Sequence, residues 1–386
     1  MKLDLSFMRA TVLAGAASLA LVACGGGGSY EEPPVVVPAE TSSATLTADQ
    51  ETADVTSGAF GSATFTLDRA TRTLSATVTL DGVTATAAHI HAGAAGSDGA
   101  VVFPLTLDPD FATLASTVLT EEQLESLDAG ELYVNIHSAD NASGEIRGQI
   151  GREVYTASLT GAQETTPVIT AATGTGHLVL DPLTRALSGE LELQGLTATA
   201  AHIHSGAFGS NGGVIVALED HGGHGHYTVP ANTVLTEEQV EALRAGELYF
   251  NAHSAANAGG EVRGQIGRRV LLASASGAQE VPANGSAATG TAFVTYDPDT
   301  RSIEGSITLT GMTATLAHIH QGAAGVNGGV VVGLEETAAG SGIWAVPADT
   351  ELTAEQAQAL LSGEMYFNAH SAAFATGEVR GQLIAQ

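Results

Sequence analysis

Leu132-Tyr133-Val134-Asn135-Ile136-His137-Ser138 alternates apolar and polar side chains over a full strand length. Successive side chains on a strand point to opposite faces. Leu132, Val134 and Ile136 therefore share a core face, and Tyr133, Asn135 and His137 share the other. The same block returns as Leu-Tyr-Phe-Asn-Ala-His-Ser at 248–254 and Met-Tyr-Phe-Asn-Ala-His-Ser at 365–371. Two more blocks repeat in step with it. Ala-His-Ile-His stands at 88–91, 201–204 and 317–320; Gly-Glu-(Ile/Val)-Arg-Gly-Gln stands at 144–149, 260–265 and 377–382. Gln50-Glu51, Gln163-Glu164 and Gln279-Glu280 mark the start of each unit. The repeats divide the chain into 41–152, 153–268 and 269–386. Units of about 115 residues are domains with their own cores, not solenoid turns.

Within each unit the pattern is that of strands. Thr64-Phe65-Thr66-Leu67 and Leu74 to Leu80 are rich in β-branched residues and joined by a short polar connection, where the later units carry Asp181-Pro182 and Asp297-Pro298. Thr120-Glu121-Glu122-Gln123 is a capping box that predicts one short helix, with Leu124 and Leu127 toward the core; Thr236 and Thr353 open the equivalents. The expected fold is all-β: three tandem Greek-key, immunoglobulin-like β-sandwiches, each with one short helix.

With 42 acidic against 13 basic residues, the chain carries a formal charge of −29. That balance repels nucleic acid, which is excluded as a partner. The one cysteine, Cys24, rules out an internal disulfide, so the domains stand on packing or on metal. It follows Leu21-Val22-Ala23, after a basic start (Lys2, Arg9) and a small apolar run, Ala10 to Ala23. That run is short for a transmembrane helix and reads as a signal peptide over residues 1–23. Leu-Val-Ala-Cys resembles a bacterial lipobox, which implies cleavage before Cys24 and lipidation of its thiol. Residues 24–40, Gly-rich and then Pro-rich, read as a tether. The expectation is an exported, membrane-anchored lipoprotein at the periplasm or cell surface, with an envelope or extracellular protein as partner.

Strand geometry gathers the chemistry. His89 and His91 share a face of their strand, as do Tyr133, Asn135 and His137, and Glu145, Arg147 and Gln149. These polar rows read as lying away from the core. A His-x-His pair with a third histidine from a neighbouring strand suits zinc or copper. The candidate sets are His89, His91, His137; His202, His204, His253; and His318, His320, His370, with Glu145 or Asn135 as an orienter of an imidazole. A second reading is a structural hydrogen-bonded network tying the strands together, and a third is direct recognition of a partner by this face.

Other motifs carry less. The Gly-rich stretch 93–99 precedes the apolar strand Val101-Val102-Phe103 and no helix, so it reads as a turn and not a phosphate loop. His221, His224 and His226, found only in the second unit, read as an insertion in a surface loop. Asn141 and Asn284 sit in glycosylation-type sequons, which mean little beside a bacterial lipobox. Neither a nucleophile elbow nor a Cys–His pair is present.

Together Gly-Ala-Gln-Glu-Val-Pro (277–282), Ala-His-Ile-His-x-Gly, Tyr-x-Asn-x-His-Ser and Gly-Glu-(Ile/Val)-Arg-Gly-Gln resemble the CHRD family, the domain named after chordin, across all three units. The first unit departs at its start, with Thr-Ala-Asp-Gln-Glu-Thr (47–52). The resemblance implies an extracellular or envelope β-sandwich module. A fainter similarity links His-x-His before a Gly-rich loop to Cu/Zn superoxide dismutase, which needs more metal ligands and a disulfide. The expected function is a non-enzymatic envelope lipoprotein whose modules act in binding or surface architecture. The alternative is a copper- or zinc-binding lipoprotein with one three-histidine site per domain, and behind it a dismutase-like metalloenzyme.

Overall fold

A computed structural model describes residues 39–386; the expected signal peptide, Cys24 and most of the expected tether fall outside the described residues. In the first domain the strands are β1 (Glu40–Thr47), β2 (Phe60–Asp68), β3 (Thr73–Asp81), β4 (Ala85–Ala92), β5 (Val101–Pro104), β6 (Thr106–Asp108), β7 (Phe111–Val118), β8 (Leu132–Ser138) and β9 (Ile146–Gln149). Their order in the sheet is β5-β4-β8-β9-β1-β2-β3-β7-β6, with every pairing antiparallel. The second and third domains repeat this order. The chain is all-β, with three tandem domains and one short helix in each.

Each sandwich is a single sheet folded over, because β9 and β1 join through one residue pair, Thr47 and Arg147. That narrow join lets the β5-β4-β8-β9 half face the β1-β2-β3-β7-β6 half. The halves meet closely: a Cβ on Gly61 of β2 would lie 3.2 Å from Cδ1 of Ile146 on β9. Leu46, Phe65, Leu74 and Val78 from one half and Ile90, Val134 and Ile136 from the other form one core. Apolar burial of that kind is the main favourable term in the fold.

The helix α1 (Glu121–Ala129) carries the full capping box: Gln123 N–H donates to Thr120 Oγ1, and Thr120 N–H to Gln123 Oε1. It ends on Gly130 in the left-handed region. Leu124 and Leu127 pack against the core. The second and third helices, α2 (Glu237–Arg244) and α3 (Ala354–Leu361), keep the box.

The domains also touch one another. Arg152 reaches Asp181 at 3.7 Å across the first junction, and Arg268 reaches Asp297 at 3.0 Å across the second. The third domain returns to the first. Arg269 makes a two-pronged ion pair with Asp49 at 2.9 and 3.0 Å, Arg301 pairs with Asp81, and Gly58 N–H donates to Gln358 at 3.1 Å.

Candidate metal centre

Strand order decides whether the three histidines of a unit meet, and β4 and β8 are neighbours. Their register sets His89 opposite Asn135, His91 opposite Tyr133 and Ala87 opposite His137. His137 thus lies diagonally beside His89. The rings of His89 and His137 are 5.0 Å apart, those of His89 and His91 5.6 Å, and those of His91 and His137 6.0 Å. His202, His204 and His253 repeat the triangle at 5.0, 5.5 and 6.0 Å, and His318, His320 and His370 at 5.2, 5.5 and 6.3 Å. In each triplet one nitrogen per ring lies within 4.8 Å of the others. Two zinc–nitrogen bonds span at most about 4.2 Å, so a small inward shift closes the triangle on a metal ion.

Backbone carbonyls fix the tautomers. His91 Nδ1 lies 3.0 Å from Gly99 O and His137 Nδ1 lies 3.1 Å from Ala142 O. A carbonyl only accepts, so both rings carry their proton on Nδ1 and turn a bare Nε2 inward. His137 Nε2 lies 3.0 Å from His89 Nδ1 and accepts from it. His91 Nε2 is buried and has no hydrogen-bond partner, as are His204 Nε2 and His320 Nε2. A single proton, that of His89 Nδ1, occupies the interior of the triangle. Moving it to Nε2 of the same ring leaves three lone pairs facing one point. Burial, with the His91 imidazole beside it, holds His89 below the ordinary imidazole range, and burial does the same for His137. His202, His253, His318 and His370 are shifted the same way, again first by burial.

A layered support stands behind His91. Tyr133 stacks on its ring at 5.0 Å and 16°, and the Arg147 guanidinium lies 3.6 Å from the other face of Tyr133. Gly99 N–H donates to Tyr133 Oη at 3.2 Å, so the residue that accepts from His91 is itself held. Arg147 donates to Ala94 O at 2.7 Å and Ser97 O at 3.0 Å, and Gln149 to Gly93 O and Gly130 O at 2.7 Å each. The Gly-rich stretch is the turn the sequence predicts, closed by an arginine and a glutamine from β9. The stacks His204–Tyr249–Arg263 and His320–Tyr366–Arg380 repeat it.

Two expectations need correction. The rows Tyr133-Asn135 and Arg147-Gln149 do turn from the core, but they are buried: Arg147 and Gln149 are each 1% exposed. The folded-down Gly-rich loop covers them. The proposed orienters also lie elsewhere. Glu145 accepts from Ser57 Oγ at 2.7 Å, and Asn135 donates to Glu51 at 3.2 Å. The imidazoles are oriented by backbone carbonyls instead.

Glu51 is the neighbour of the site that reading the strand faces passed over. Burial pushes its carboxyl up to about 7, against the pull of the Asn135 bond and Arg147. The repeated Gln-Glu pair signalled it, and so did Gly144. A Cβ there, at φ 151°, would lie 2.6 Å from both Asn135 and Glu51. Of the second-unit loop histidines, His226 lies 3.1 Å from Glu190 and His221 2.8 Å from Thr228, outside the triplet. Among the described residues, the three triplets are the groups whose ligand atoms converge.

No curated protein matches this chain. The CHRD domain profile matches residues 42–150, 155–266 and 271–383, once in each sheet-bearing unit. Those three stretches hold every convergent histidine and most of the chain, which belongs to the CHRD domain family.

Proposed function

We propose that this is a non-enzymatic binding protein of the cell envelope in which each CHRD domain holds one copper or zinc ion on three imidazoles. One observation carries the metal reading. In all three domains the Nε2 of the second histidine is buried and unpartnered. Leaving a buried polar atom unmet costs about 1–3 kcal/mol, and this one faces the ligand nitrogens of the two other imidazoles of its triplet. A metal would be the missing partner, with His89 Nδ1 and His137 Nε2 completing the set in the first domain. Three protein ligands leave a coordination position for water or an incoming group. The tautomer-fixing carbonyls of Gly99 and Ala142 act as the outer support such ligands need.

The envelope part rests on Leu21-Val22-Ala23-Cys24. In this reading Cys24 is acylated and the three domains stand on the tether above a membrane. Mass spectrometry of the N-terminal peptide from the membrane fraction tests that: an unmodified Cys24 there overturns it.

The metal reading is tested by elemental analysis of the protein, purified without a polyhistidine tag after exposure to copper and zinc and desalting. One equivalent per domain is expected, falling by one with each of His91→Ala, His204→Ala and His320→Ala. Protein that retains no metal makes the triplets structural. Superoxide turnover by the loaded protein would count against the non-enzymatic part alone.

A further inference from the structure

We propose that copies of this chain join head to tail, the Gly-rich loop of one third domain seating on the outer face of the next copy's first domain. The contact is one the chain already makes twice within itself. In the first domain the loop 93–99 reaches the second domain, where a Cβ on Gly96 would lie 3.4 Å from the His177 ring. In the second domain Phe208, on the equivalent loop, packs on Phe293 of the third at 4.9 Å between rings. His177 and Phe293 hold the same position in their domains. Each is the fourth residue after the one paired with Thr160 or Ser276. Ala95 and Phe208, the middle residues of the two loops, are accordingly half-buried.

Both halves of that contact are left over at the ends of the series. The loop of the third domain has Ala324 exposed, where Ala95 and Phe208 of the other two loops are half-buried. The position matching His177 and Phe293 in the first domain is Thr64, which is exposed. Around it Ser43, Thr64, Thr77 and Thr113 stand directly opposite one another across four strands. That row carries no charge, and neither does the loop from Gln321 to Gly329. In a chain of formal charge −29, copies repel except where uncharged surfaces meet. A loop meeting a different surface is a heterologous contact, which joins copies in series, into a ring or an open filament according to the rotation between them. The junction arginines Arg152 and Arg268 have no counterpart here: Ala385 stands at that place. The contact between copies is therefore weaker than those within one, and concentration decides it.

Sedimentation of residues 39–386, which hold all three cores, tests this. The expected result is association that grows with protein up to about 1 mM and strengthens with added salt as repulsion is screened. Thr64→Glu and Ala324→Glu, both at exposed positions, should each weaken it at least about tenfold while circular dichroism stays unchanged. An equal mixture of the two variants should give a dimer and nothing longer, since one good loop and one good face remain. A monomer throughout leaves the face to some other occupant and overturns the proposal. Association that neither substitution weakens, or a mixture that stays monomeric, overturns it equally.

Discussion

The triplet depends on where single protons sit. Gly99 O and Ala142 O hold the protons of His91 and His137 on Nδ1, so the inward nitrogens are bare before any ligand arrives. This could not be read from the sequence, because each carbonyl belongs to a loop whose path the spacing does not fix. The histidines themselves were legible: alternation put His89 and His91 on one face, and repetition singled out His137. The repeated Gln-Glu pair marks Glu51 as a fixed position, but its weight comes from burial and not from residue type. Its pKa is raised from an ordinary 4.5 to about 7. Between these values the folded domain keeps a proton that the unfolded chain has released, so stability falls as pH rises through that window. The loss is at most about 3 kcal/mol. Glu51→Gln should remove it. The depressed His89 and His137 act in the opposite sense, because below about 6.5 the unfolded chain takes up protons there that the folded domain refuses. Calorimetric unfolding at pH 5 and pH 8 should therefore show Glu51→Gln gaining more stability, or losing less, toward the higher pH than the wild type does. Equal sensitivity in both would assign the dependence to another group.

At the scale of elements, β9 serves the site as much as the strands that carry histidine. Alternation assigns the faces of Ile146, Arg147 and Gln149 correctly, but it does not say whether a face turned from the core meets solvent or another part of the chain. The polar row is roofed by the loop it holds down, and one donor set closes both. Arginine suits this place because its flat guanidinium can stack on Tyr133 while Nη2 donates to two carbonyls. Arg147→Lys keeps the charge but loses the flat stack and the placement of that donor. It should cost about 2–4 kcal/mol in denaturant unfolding of the first domain. It should also lower metal affinity at His89, His91 and His137, leaving the other two triplets as they are. Loss of stability with unchanged affinity would separate the loop from the site. The short helices were the most legible elements, since Thr120 and Gln123 satisfy each other locally, with no help from the rest of the fold.

At the scale of the whole molecule, repetition gave the number of domains but not their return on one another. Arg269 meets Asp49 and Arg301 meets Asp81, each pair 220 residues apart. Nothing in the repeats marks them, because these contacts break the likeness among units. Gly58 is the tightest point of this return. A Cβ there would lie 2.3 Å from Ala354 O and 2.6 Å from Gln358 N. Both are backbone atoms of the third domain, so no side-chain rotation relieves the overlap. Gly58→Ala should therefore push the third domain off the first while each core keeps its own packing. Small-angle scattering should report a larger radius of gyration with unchanged circular dichroism. Gly285→Ala, where a Cβ meets nothing within 4 Å, serves as the control and should leave both alone. An unchanged radius for Gly58→Ala would mean that the ion pairs hold the domains together without this contact. The Asp49–Arg269 pair, with Asp49 only 9% exposed, would then be the next to remove.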